Sequence, residues 1–409
     1  MARLKRLIFN LISMDPERVG GAARLAQCLA AHVSAHQAPD TRTLVAVGHG
    51  TWGRLFPLEG DFQTLEVSPR AKWEAGLAIE AQLEPPTPGR KLAVSLARPF
   101  QRGYRFPATW SADTIVHVPT QMIHPRPPKH WNLPYVMNLA DLQHEHFPEF
   151  FTPHDLKSRR THFLSSALAS EGICVADEWT RRDILAHLPV SPEKVHAIPL
   201  APTWDAAQGP TPEAARATLA AFGLPERFAF YPAQTWVHKN HGRLLEALAA
   251  LRNRGVVVPL VCCGHQNDHF QVLREQVEAL GLADQVRWLG LVSEAEVRAL
   301  YVAASLIVVP TLFEGGPGIP VLEAMAFGKP LAASTVCGIP EAVADTALLF
   351  DPLDPSDMAG AIGRLWSDPN LAAELGAKAR ARIAQRTWEK TAAAYHAVYE
   401  EILARRARG

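Results

Sequence analysis

The chain has 409 residues, too many for one ordinary core, so two domains are expected. Hydrophobic residues make up 48% and charged residues 20%, as in a soluble globular protein, and the formal net charge is zero, so no global field draws the chain to nucleic acid or an anionic membrane. Cys28, Cys174, Cys262, Cys263 and Cys337 lack metal-type spacing and suit buried, reduced thiols in a cytoplasmic protein.

The N-terminal run is too short for a signal peptide. It is broken by Asn10 and meets Asp15 without a small-residue cleavage site, so Leu7–Ser13 reads as a first strand. No stretch reaches ~18 uninterrupted apolar residues, so no membrane span is expected. Ala22–Ser34 is a helix with Leu25, Leu29 and Val33 on one face. Gly20 and Gly21 precede it, either as an anion or sugar site or as the glycines of a tight turn. Thr43–Val47 is a strand. Residues 53–110 alternate helix-like and strand-like pieces, Leu92–Leu96 among the latter. Strands follow at Thr114–Val118, Tyr135–Leu139, Gly172–Ala176 and Val195–Leu200, with helices at 155–170 and Asp177–Leu188. Ala201–Pro210 has linker composition.

The second half repeats the alternation. Strands are expected at Phe228–Tyr231, Val256–Cys263, Val286–Leu289, Leu306–Val309, Pro330–Ser334 and Ala347–Phe350. Helices lie between them, one opened by the capping-box pair Ser293 and Glu296. Strand–helix alternation with short loops predicts an α/β fold of two doubly wound parallel sheets, with ligands at the carboxyl ends of strands. The last helix, Thr387–Ala404, carries Trp388, Tyr395, Val398, Tyr399 and Ile402 at helical spacing and must pack on something. Its terminal Arg405–Arg408 suits the helix dipole, a membrane-facing patch being the alternative.

The stretch Glu314-Gly-Gly-Pro-Gly-Ile-Pro-Val-Leu-Glu323 organises the chain. A strand leads into three glycines and then a helix with Pro320 in its first turn. Glycines let a ligand approach the backbone, and the free N–H groups and dipole at a helix start favour an anion by about 0.3–1 kcal/mol. Two carboxylates beside an anion site make sense on hydroxyls. A nucleotide sugar offers both kinds of group.

At this point the chain resembles the retaining glycosyltransferases of the GT-B fold, in particular glycosyltransferase family 4. The resemblance runs through Tyr231–His241, Val286–Val292 and Pro310–Pro330, then Gly338–Glu341 and Phe350–Pro352, with Gly20-Gly21 and Asp141–Phe151 in the first half. It implies an acceptor-side Rossmann-like domain over 1–203, a donor-binding Rossmann-like domain over 204–385, and a terminal helix over 386–409 packing back onto the first. The partners it implies are a nucleotide-sugar donor and a glycan or glycolipid acceptor, with no nucleic acid. The compartment it implies is the cytoplasm, with peripheral contact at the inner face of a membrane as a further option.

The roles implied are specific. Glu323, in the first turn of its helix, would bind the ribose hydroxyls, and Glu314 would serve the transferred sugar or its anomeric carbon. Lys239 would neutralise the diphosphate, aided by His238 and by backbone N–H groups at Gly315, Gly316 and Gly318. Leu291 and Val292 would border the base, unless they are ordinary core. His117, Asp141 and His144 are the cleft candidates on the acceptor side. Three positions depart from the family pattern. Eight residues, where seven are usual, separate Glu314 from Glu323; Gln234 stands where an arginine is common; Ala140 stands where a histidine precedes the aspartate.

Seven histidines fall between His117 and His162. His144 and His146 are at metal-like i, i+2 spacing, but no further ligand has compelling spacing, so core or solvated histidines are the reading. With no Asp-x-Asp pair in a suitable loop, neither an essential metal nor another cofactor is expected. The expected activity is retaining transfer of a hexose of mannose, rhamnose or glucose type. A nucleotide-sugar epimerase or hydrolase, or a non-catalytic sugar-binding protein, are the alternatives.

Overall fold

The computed structural model describes residues 3–11, 14, 21–48, 63–67, 112–123, 132–204 and 209–408. Gly20, His124, His130 and the expected strand Leu92–Leu96 lie outside the described residues.

Among the described residues two sheets form, both all-parallel, of seven and six strands. The first contains seven strands, β1 (Arg6–Leu11), β2 (Arg42–Gly48), β3 (Gln63–Val67), β4 (Thr114–Val118), β5 (Tyr135–Asn138), β6 (Gly172–Val175) and β7 (Val195–Ala197), in the order β3-β2-β1-β4-β5-β6-β7. The second contains β8 (Ala229–Pro232), β9 (Leu260–Cys263), β10 (Val286–Trp288), β11 (Leu306–Val309), β12 (Leu331–Ser334) and β13 (Leu348–Phe350), in the order β10-β9-β8-β11-β12-β13. Every residue of β4, β6, β9, β11 and β12 is buried, as expected of strands covered by helices on both faces. The expected strand Val256–Cys263 is shorter than its apolar run, because only Leu260–Cys263 pair with β8 and β10.

Helix starts follow local chemistry. Thr152 accepts a hydrogen bond from Asp155 N ahead of Pro153–Ala169, and Asp177 accepts one from Thr180 N ahead of Glu178–His187. Ser293 and Glu296 form the expected capping box.

The last helix, Trp388–Arg408, packs on the first sheet. Its Tyr395, Val398, Tyr399, Ile402 and Leu403 share one core with Leu7, Phe9, Leu11, Ile115, Val136 and Cys174. Trp388 donates to Pro202 O at 2.9 Å and Thr391 to Pro199 O at 2.9 Å. Arg405 donates to Glu171 O at 2.8 Å, and Arg406 pairs with the Glu171 carboxylate. Two of the terminal arginines are therefore engaged with the protein itself. No described helix is long and apolar enough to cross a membrane.

Strand alternation corrects one expectation. In β4, Ile115 and His117 face the last helix, while Val116 and Val118 face the opposite layer. His117 is fully buried against Phe9, Tyr395 and Tyr399, its ring bonded to Asn138 Oδ1 at 2.6 Å and the Tyr399 hydroxyl at 2.7 Å. Burial pushes it down to about 4, so it stays neutral. It is a core residue under the last helix and not a cleft group.

Candidate active site

The loop after β11 is held from behind by the segment after β8. The Thr311 hydroxyl donates to His238 O and Phe313 O at 3.1 and 2.8 Å, and Leu312 N donates to His238 O at 2.7 Å. Asn240, in the left-handed conformation, donates to both Pro310 O and Pro352 O at 2.8 Å. The Tyr231 hydroxyl donates to Lys239 O at 2.9 Å. These bonds aim Lys239 at Glu314, and its Nζ lies 2.5 Å from Glu314 Oε1. Both side chains are largely out of solvent. The expected diphosphate cation and the expected sugar carboxylate thus neutralise each other.

The glycines then press against the first domain. Gly316 and Gly318 have φ of 79° and 80°, which other residues adopt only with strain. A Cβ on Gly316 would lie 2.6 Å from Ala176 Cβ, and one on Gly315 would lie 3.1 Å from Ala140 Cβ and 3.2 Å from Asp141 Oδ2. Ala140–Asp141 follow β5, and Ala176–Asp177 follow β6. The carboxyl ends of first-sheet strands therefore face the loop that follows a second-sheet strand. Two of the departures in the sequence meet here, since Gly315 of the lengthened loop rests on Ala140, the small residue at the histidine position.

Asp141 stands after β5, beside Gly315. Its Oδ1 accepts from Gln143 N at 3.0 Å and its Oδ2 from Gln121 Nε2 at 2.9 Å. Asp177 joins it from the next strand, unpredicted. One of its oxygens caps the helix, accepting from Thr180 N at 2.7 Å, and the other is buried against Gly316 and Gly338 without a hydrogen-bond partner among the described residues. Burial raises its pKa. The rule that strand carboxyl ends carry the site would have pointed to it.

Glu323 sits in the second turn of Ile319–Ala326 and not the first, because the helix begins one residue before Pro320. Its carboxylate is buried, and Thr203 Oγ1 donates to it at 2.7 Å. The Tyr301 hydroxyl also faces it, outside good hydrogen-bond geometry. Burial pushes the carboxyl up to about 7, opposed by Thr203 and by the nearby Arg24 guanidinium. Arg24 comes from the first domain, lies 4.2 Å over the Trp204 ring and pairs with Glu294. It stands one turn after Gly21, whose added Cβ would lie 2.9 Å from Ile319 Cδ1. Arg24 and Thr203 carried no motif and emerge only from the fold.

The remaining candidates separate. Gln234 Oε1 accepts from Trp236 Nε1 at 2.7 Å. Burial and the Lys239 charge push the His238 ring down to about 3, so it adds no positive charge beside Lys239. Leu291, in the loop after β10, is 72% exposed, which removes the core alternative for it, while Val292 is half-buried. His144 is buried edge-on to Phe163, with its ring centroid 5.0 Å away, and does not reach the cleft. The short helix Gln143–His146 turns His146 the other way, onto Phe313 with ring centroids 5.0 Å apart.

Residues 220–382 match the family described as Glycosyl transferases group 1. The solved structure of sucrose-phosphate synthase from Thermosynechococcus elongatus superposes with a TM-score of 0.71 at 17% identity, covering 98% of this chain and 99% of that one. The fold is GT-B. Anabaena Alr3699/HepE, solved in complex with UDP and glucose, aligns with a TM-score of 0.67 at 18% identity over 93% and 95% of the two chains. At such identities the likeness of these GT-B chains is one of fold. The MMP alpha-(1->4)-mannosyltransferase of Mycolicibacterium hassiacum is 33% identical over 228 residues, 54% of this chain and 52% of that protein. The chain spans about half the length of that curated relative.

Proposed function

We propose that this chain is a retaining glycosyltransferase that moves a hexose from a nucleoside-diphosphate sugar to an acceptor hydroxyl of a glycan or glycolipid. The observation that carries this reading is the seam, where Lys239, Glu314 and the glycine loop of one domain meet Asp141 and Asp177 of the other. The group 1 match over the donor-side half and the mannosyltransferase relative support it.

In this reading the incoming diphosphate replaces Glu314 as the partner of Lys239, and Glu314 turns to the sugar. The bond from the anomeric carbon to the diphosphate breaks as the acceptor oxygen bonds to the same face. The acceptor proton passes to the departing phosphate oxygen. Such a step needs charge stabilisation at the leaving group more than a strong protein base. Lys239 and the loop N–H groups supply it where Gln234 brings no charge. Glu323 takes the ribose hydroxyls, in place of Thr203 or together with it. No metal is proposed on the diphosphate, so turnover is expected to persist in EDTA.

The test is a panel of nucleotide sugars scored for thermal stabilisation and for slow donor hydrolysis. One donor and its nucleoside diphosphate are expected to stabilise the protein. Absence of stabilisation by every donor overturns the reading, and conversion of the donor into an epimer without acceptor replaces it.

A further inference from the structure

His146 leaves the short helix Gln143–His146 on the side opposite His144 and meets the helix Glu178–His187. There Asp183 and His187 stand one turn apart, at i and i+4. His146 Nε2 lies 2.7 Å from Asp183 Oδ1, and His187 Nδ1 lies 3.2 Å from the same oxygen. One donor atom from each of the three lies within 4.8 Å of the others. Asp183 is buried, and its second oxygen has no hydrogen-bond partner among the described residues. A carboxylate so placed is costly unless a cation compensates it.

We propose that His146, Asp183 and His187 bind a divalent transition-metal ion. Two imidazole nitrogens and one carboxylate oxygen suit Zn²⁺, Co²⁺ or Ni²⁺, whereas Mg²⁺ and Ca²⁺ prefer oxygen ligands. A tetrahedral ion with bonds of about 2.0–2.1 Å holds its ligand atoms roughly 3.3 Å apart. The His187–Asp183 pair, at 3.2 Å, is already near that spacing, and the His146–Asp183 pair, at 2.7 Å, has to open by about 0.6 Å to reach it. His146 and His187 are both partly exposed, which leaves an entry path. Glu145 does not compete, because Arg160 holds it through bonds of 3.0 and 2.9 Å.

Without an ion, His187 Nδ1 donates to the Asp183 backbone carbonyl at 2.8 Å; metal binding takes that nitrogen without its proton. The rings of Trp179 and Phe313 flank His146, with centroids 6.0 and 5.0 Å away. Phe313 directly precedes Glu314, so the ion braces the acceptor-side elements next to the donor loop. This site is separate from the diphosphate cradle and does not depend on the reaction proposed above.

The experiment uses untagged protein stripped with chelator, then titrated with Co²⁺ followed by visible absorption and with Zn²⁺ followed by calorimetry. One equivalent is expected to bind with ligand-field bands and to raise the Tm. His187→Ala and His146→Ala are each expected to weaken that equivalent by at least about 100-fold, beyond the ~10–100-fold that loss of an outer-shell partner costs. His154→Ala, at an exposed position on another helix, is expected to leave the titration unchanged. Should His146→Ala not fold, His187→Ala, whose metal-free melting serves as the folding control, decides alone. No stoichiometric uptake by the unmutated protein, or uptake unchanged in His187→Ala, overturns the proposal.

Discussion

Glu323→Gln tests the donor site through its proton. The buried carboxyl has its pKa raised from 4.5 to about 7. A carboxyl raised on folding stabilises the protein fully below its unfolded pKa, and that contribution is lost as pH rises through the folded value. About 2.5 pH units at 1.36 kcal/mol each is about 3 kcal/mol, lost between pH 4.5 and 7. Glutamine is neutral throughout, and its carbonyl still accepts from Thr203. The stability of Glu323→Gln relative to the unmutated chain is therefore expected to rise by about 3 kcal/mol from pH 4.5 to 7.5. Urea unfolding of both proteins at several pH values measures it, and taking the difference cancels the other titrating groups. Ribose hydroxyls favour the ionised form, at ~1.5–3 kcal/mol per bond to a charged group. Nucleoside diphosphate affinity is accordingly expected to improve about tenfold between pH 6 and 8 through this group, an increment absent in Glu323→Gln. A stability difference flat in pH refutes the shifted carboxyl. An identical pH dependence of binding in both proteins refutes the ribose role.

Other perturbations probe the seam and the core. Lys239→Ala strands Glu314 in a largely buried position, a loss of roughly 3–5 kcal/mol for a buried pair, at the lower end here because Lys239 keeps some exposure. Adding Glu314→Gln is expected to restore most of the stability in denaturant melts, but calorimetry should find no donor binding in either variant. Gly316→Ala combines a positive φ with a contact to Ala176, and a loss of about 1–3 kcal/mol is expected. Ala176→Gly in the same chain should recover only the steric part, read as a partial return of Tm. His117→Phe leaves Asn138 and Tyr399 short of a buried partner, at about 1–3 kcal/mol each, with turnover per folded molecule unchanged. A large loss of kcat at unchanged stability would return His117 to the reaction.

The alternation of strands and helices can be read from local pattern alone. Thr114–Val118 and Leu306–Val309 are legible to the residue, because apolar runs between turn signals have few other uses. The glycine loop was legible for the same local reason, since Gly316 and Gly318 adopt dihedrals that other residues resist. Tertiary structure decided what each side chain faces. Period-two alternation puts Ile115 and His117 on one side of β4, but only the packing of a helix some 270 residues later makes that side the core. Periodicity did not say which of His144 and His146 turns inward, because the helix that carries them is a single turn. Asp183 and His187 could not be joined to His146 from spacing, since Asp183 stands 37 positions further along the chain, beyond a strand. Asp177, Arg24 and Thr203 gained their roles only when two sheets met. Local sequence encodes dihedrals and periods, whereas a site between domains is made by contacts between residues far apart in the chain.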